Sequence, residues 1–86
     1  MAKPKLKIYI RPGQAASEEA IEFLDEQEID YDVIDVLDEE TALDYLEEMT
    51  GERATPAVIF GEHTLSGFNL DELEEFLLAE KLIAPE

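Results

Sequence analysis

The residues best placed to do chemistry lie in one stretch, Arg11-Pro12-Gly13-Gln14-Ala15-Ala16-Ser17. It joins an apolar strand pattern to an amphipathic helix pattern. At such a junction free backbone N–H groups and the positive end of the helix dipole point outward, and small βα units often place reactive groups there. Here the junction holds no acid, no base and no ready nucleophile. Gln14 cannot ionise. Ser17 has a hydroxyl, but its alkoxide is too basic to form without a strong general base. His63 is the single histidine. It falls in a predicted hairpin away from the junction, with no carboxylate specified to orient it. A hydrolytic Ser17–His63 pair is therefore set aside, and His63 reads as an exposed hairpin residue. Asp30, Asp32, Asp35 and the run Asp38-Glu39-Glu40 lack calcium-loop spacing. They read as solvated strand ends and helix caps, and no metal site is assigned.

Composition narrows the field further. With 0 cysteines, neither a disulfide nor a thiolate ligand to a metal or cluster is possible. At 86 residues the chain has room for one domain with one core, assigned here to residues 1–86. The 45% hydrophobic content separates it from disordered acidic tails. A net charge of −17 argues against nucleic-acid binding, because such a protein repels phosphates. No apolar run is long enough to span a bilayer, and Met1-Ala2-Lys3-Pro4-Lys5 leads into a strand with no signal-peptide core. The expectation is a soluble, cytoplasmic monomer that uses no membrane. The charge is unevenly spread. Lys3, Lys5, Lys7 and Arg11 precede every acid in the chain, and only Arg53 and Lys81 follow. The acidic remainder reads as a solubilising surface or a saline adaptation; the sharper alternative is an acidic face for a basic partner.

Several elements must position these residues. Leu6, Ile8 and Ile10 alternate with Lys5, Lys7 and Tyr9, which predicts a first strand ended by Pro12-Gly13. A helix follows from about Ala15 to Glu28. Its predicted inner stripe is Ala16, Ala20, Phe23, Leu24 and Gln27, with Ile21 beside it. Residues 31–36 form the second strand, parallel to the first through a right-handed crossover. Asp38 is expected to cap a helix over Glu39 to Thr50, with Ala42, Tyr45, Leu46 and Met49 inward and Gly51 ending it. Ala57 to Phe60 and His63 to Ser66 flank the tight turn Gly61-Glu62 and predict an antiparallel hairpin. Asn69 can cap a last helix over Leu70 to Glu80, with Leu70, Leu73 and Leu77 inward. Tyr9, Phe23, Tyr45 and Phe76 are expected in the core.

This order, βαβαββα with an X-Pro before the hairpin, is that of the minimal thioredoxin fold, an α/β architecture with a four-stranded mixed sheet and three helices. Within it the chain resembles the glutaredoxin and NrdH-redoxin family over residues 5 to 78. The resemblance rests on residues 7–13 (KIYIRPG), 22–24 (EFL), 31–36 (YDVIDV), 51–58 (GERATPAV) and 65–68 (LSGF). The family's Cys-x-x-Cys then falls on Gln14 and Ser17. The resemblance implies a cis peptide bond before Pro56. Thr55 would then offer its N–H and C=O beside residue 14, as an edge for a peptide or glutathione-like ligand. Arg11 and Arg53 match basic positions that flank glutathione carboxylates in glutaredoxins; they would form an anion site or else pair with nearby acids. Ser66-Gly67-Phe68 looks more like NrdH-type redoxins, which take electrons from thioredoxin reductase. Phe68 would be a partner contact or a packing residue.

Three functions follow. The first is a redox-silent module that binds a peptide, a partner protein or a glutathione-like anion at Arg11, Gln14, Arg53, Thr55, Pro56, Gly67 and Phe68. It would need no cofactor, and glutathione would be a non-covalent ligand. The second is a thiol–disulfide oxidoreductase of glutaredoxin or NrdH type, represented by a cysteine-free, engineered or reconstructed variant. The third is an acidic scaffold that docks a basic partner.

Overall fold

The computed structural model describes residues 5–83, so Lys3 of the basic N-terminal group lies outside the described residues. In chain order the elements are β1 (Leu6–Ile10), α1 (Ala15–Glu26), β2 (Tyr31–Asp35), α2 (Glu40–Thr50), β3 (Ala57–Phe60), β4 (His63–Ser66) and α3 (Leu70–Ala79). The sheet order is β2-β1-β3-β4. β1 and β2 are parallel, while β3 runs antiparallel to both β1 and β4. This is the expected minimal thioredoxin fold.

Register sets the position of the site. Tyr9 pairs with Ala57, so the end of β1 and the start of β3 lie side by side. The residues just outside them, the junction after Ile10 and the Thr55–Pro56 loop, therefore meet at one edge of the sheet.

The sheet buries both faces. Leu6, Ile8 and Val58 meet Ala20 and Leu24 of α1 and Leu73 and Leu77 of α3. On the other face Tyr9, Ala57 and Ile59 meet Ala42 and Leu46 of α2. One helix covers this second face where two cover the first, and the expected inner stripes narrow accordingly. Tyr45 and Met49 are 41% and 37% exposed, although Tyr45 still stacks on Tyr9 with ring centroids 6.2 Å apart. Leu70 is likewise 39% exposed at the start of α3. In α1 the buried stripe is Ser17, Ala20 and Leu24; Ala16 and Gln27 face solvent.

Boundaries also differ from expectation: β2 ends at Asp35 and α3 at Ala79, each one residue early, and one end of α1 and one of α2 are set by local bonding. α1 stops at Glu26, because Glu28 takes a left-handed conformation with φ 56°. The amide of Ile29 then donates to the Leu24 carbonyl and that of Glu28 to the Asp25 carbonyl, a Schellman closure made without glycine. α2 is entered through Glu39, which makes no side-chain cap, and Asp38 does not cap it. Asp35 shapes the turn instead: its Oδ1 accepts from the Leu37 amide at 2.8 Å and its carbonyl from Asp38 and Glu39. Gly51 ends α2 at φ 82° as expected. Asn69 caps α3 in a reciprocal capping box with Glu72. Among the described residues, no helix is long and apolar enough to cross a membrane.

Candidate functional site

Local rules bring the site together. Pro12 and Gly13 end β1, Gly13 at φ 83°, and the Gln14 amide donates to the Arg11 carbonyl at 3.1 Å to close the turn. Gln14 then occupies the N-cap of α1, where short polar side chains normally bond back to the helix. Its side chain makes no such bond. It reaches across to the loop before β3 instead, where the Thr55–Pro56 peptide bond is cis.

Four hydrogen bonds tie this edge together. Gln14 Nε2 donates to the Thr55 carbonyl at 3.0 Å. Thr55 Oγ1 donates back to Gln14 Oε1 at 3.0 Å. Ser17 Oγ donates to the same Oε1 at 2.6 Å and accepts from the Arg11 amide at 3.3 Å. The neighbours fix the orientation of the amide. Flipped, it would set oxygen against the Thr55 carbonyl, two acceptors face to face. Ser17 is only 1% exposed, and its hydroxyl is fully satisfied by this arrangement. The far rim is formed by Gly67, whose amide donates to the Pro56 carbonyl at 3.0 Å with φ 59°. Beside it, Ser66 Oγ donates to Glu52 Oε2 at 3.0 Å.

The predicted site residues divide into two groups. Gln14, Ser17 and Thr55 are in direct contact, Arg11 joins them through its backbone, and Pro56 and Gly67 adjoin them. Arg53 does not join. Its guanidinium is paired with Asp44 at 2.9 Å and Glu47 at 4.0 Å on α2, so a two-arginine anion site is not assembled. Arg11 is exposed and makes no ion pair among the described residues. Phe68 is 6% exposed and packs in the core beneath the rim. His63 is exposed in the hairpin and paired with Glu80, far from Ser17 in the fold. Two features were not foreseen: the Gln14–Thr55 bridge, and Glu52 as an acid at the rim. The bridge has a trace in the sequence, since glutamine is an uncommon N-cap and must direct its amide elsewhere. Cavity size does not point to this groove. A cavity of about 500 Å³ opens at the opposite edge of the sheet, beside Leu6, Ile29 and Phe60.

A family model for glutaredoxin matches residues 6–64, most of the chain, from β1 into β4 and including Gln14, Ser17 and the Thr55–Pro56 loop. The chain belongs to the glutaredoxin family. With 0 cysteines, the chain carries neither of the two thiols of that family's motif. Solved structures agree on the fold. A glutaredoxin from Archaeoglobus fulgidus superposes with a TM-score of 0.76 at 19% identity, over 86% of each chain. The thioredoxin-like protein BC3987 gives 0.77 at 25% identity, over 85% of this chain and 100% of its own. A buckwheat glutaredoxin, solved as a complex with glutathione, gives 0.72 at 21% identity, over 92% of this chain and 73% of its own. No curated protein matches the chain by sequence.

Proposed function

We propose that this glutaredoxin-family chain binds a peptide-like or glutathione-like ligand non-covalently, in the groove between Gln14 and the Thr55–Pro56 loop. Disulfide exchange needs a thiolate to attack and a second thiol to resolve the mixed disulfide. The chain has 0 cysteines to supply either. The observation that carries the reading is what fills the two positions. Gln14 and Ser17 form a satisfied polar network with Thr55. The backbone edge at Thr55 is therefore kept in place without the reacting atoms. Arg11 supplies the one cation at the junction that is free of ion pairs among the described residues, and it favours a ligand carboxylate.

An amide NMR titration with reduced glutathione at low salt tests this, following Arg11, Gln14, Thr55 and Gly67. Saturable shifts confined to these residues are expected. Arg53, held by Asp44, is expected to stay still. An absence of shifts at millimolar glutathione would overturn the glutathione-like ligand. The Ser66-Gly67-Phe68 segment favours a protein partner of thioredoxin-reductase type as the second reading. Phe68 is buried, so that docking would fall on Gly67 and the loop around it.

A further inference from the structure

The Gln14 carboxamide holds the positions that a ligand's peptide group would use. Its Nε2–H lies on the Thr55 carbonyl at 3.0 Å, the acceptor that the proposed function offers to an extended ligand. Its Oε1 accepts from both Thr55 Oγ1 and Ser17 Oγ, at 3.0 and 2.6 Å, so both of its lone pairs are taken. The side chain is also anchored from behind. Ser17 is 1% exposed, and its oxygen is already bound by the Arg11 amide, so its proton has one satisfied direction, toward Gln14.

We propose that Gln14 is an intramolecular occupant of the groove: a ligand backbone reaches the Thr55 carbonyl only after the Gln14 side chain has swung out. The inference rests on the groove being a ligand site. Opening breaks three hydrogen bonds at once and strands a buried hydroxyl proton, so the closed state dominates. The apparent affinity for any ligand of the groove is reduced by the open fraction. The arrangement also selects a ligand class. To replace the carboxamide a ligand must bring an N–H for the Thr55 carbonyl and an acceptor for the Thr55 and Ser17 hydroxyls. A residue of an extended peptide has both, its own N–H and C=O pointing to the same side of the chain, whereas a simple carboxylate lacks the donor.

The test compares calorimetric titration of reduced glutathione into the wild-type chain, Gln14→Ala, and Gln14→Ala combined with Ser17→Ala. The double variant removes the stranded hydroxyl and guards against a folding defect in the single one. Both variants are expected to bind about fivefold or more tightly than wild type, since no internal competitor has to leave. Acetate is expected to show no such gain. Saturable wild-type binding with equal or weaker binding by both variants would overturn the role of Gln14 and leave the groove reading intact. Absence of binding to all three proteins would overturn both.

Discussion

Residue 17 shows what a buried hydroxyl at the start of a helix requires. The site is 1% exposed at the first turn of α1, and a hydroxyl there needs a partner for its proton and one for its oxygen. Gln14 and the Arg11 amide provide them. The two residues are therefore coherent as a pair: a buried serine is tolerable because the residue three positions earlier is an acceptor. The choice of Gln and Ser could be read in the sequence. Their mutual bonding, and the link to Thr55 across 41 positions, could not, because it depends on a side chain turning away from its own helix. A different residue carries a pH dependence. Tyr31 Oη donates to Asp25 Oδ1 at 2.5 Å, joining β2 to α1. That bond first, then burial and the carboxylate charge, push its phenol up to about 12. The folded chain thus holds the proton more tightly than the unfolded chain, whose tyrosines titrate near 10. The stabilisation is complete below pH 10 and lost as pH rises through about 12. Tyr31→Phe is expected to flatten the fall in urea midpoint across this alkaline window. Some slope will remain from Tyr9, whose phenol is also raised, mainly by burial. An unchanged slope in Tyr31→Phe would remove the Asp25 bond as the cause.

At the scale of elements, legibility followed the local signals. Strand alternation, Gly51 after α2, the tight turn at Gly61 and the Asn69 box are all one-residue or period-two cues, and each element they mark is present. The ends of α1 and α3 lacked such a cue. At both, the left-handed residue after the cap is charged: Glu28 at φ 56° and Lys81 at φ 60°. The Ile29-to-Leu24 and Leu82-to-Leu77 amide bonds close the two ends alike. What fixes these turns is the burial of Ile29 and Leu82 against the core beyond them. That is a tertiary preference, and it overrides the cost of φ > 0 for a residue with a Cβ. Glu28→Gly and Lys81→Gly are therefore expected to stabilise the chain by about 0.5–1 kcal/mol each, relief of strain outweighing the added freedom of the unfolded chain. Thermal unfolding reads this directly. A loss of stability in either variant would mean that its side chain, not its backbone, holds the turn. The α2 stripe failed for a related reason: periodicity marks a face but not how far the sheet extends beneath it. Tyr45 and Met49 stay partly exposed, Tyr45 even while stacked on Tyr9 of the sheet.

For the molecule as a whole the dominant fact is charge. A net charge of −17 on 86 residues is concentrated on helices that carry acids in their first turns and no base in their last. In α1, Glu18, Glu22 and Glu26 repeat at four-residue spacing, so each repels the next along one face. Among the described residues few ion pairs offset this. Lys5–Asp32 and Arg53–Asp44 are half-exposed, and such pairs contribute about 0–1 kcal/mol. Self-repulsion therefore opposes the compact state, and salt should relieve it. The screening length falls from about 10 Å at 0.1 M to about 3 Å at 1 M, so spacing along a helix face is screened well before molar salt. The melting temperature is expected to climb steeply over the first few hundred millimolar sodium chloride and then level off. For a domain of this size about 4–8 °C corresponds to each kcal/mol relieved. The shape of the curve decides the cause. Screening saturates, whereas strengthening of apolar burial by excluded salts continues to rise with concentration. A melting temperature flat from low to molar salt would show that the acids are spaced too widely to strain the fold. A straight rise without a plateau would assign the gain to burial instead of charge.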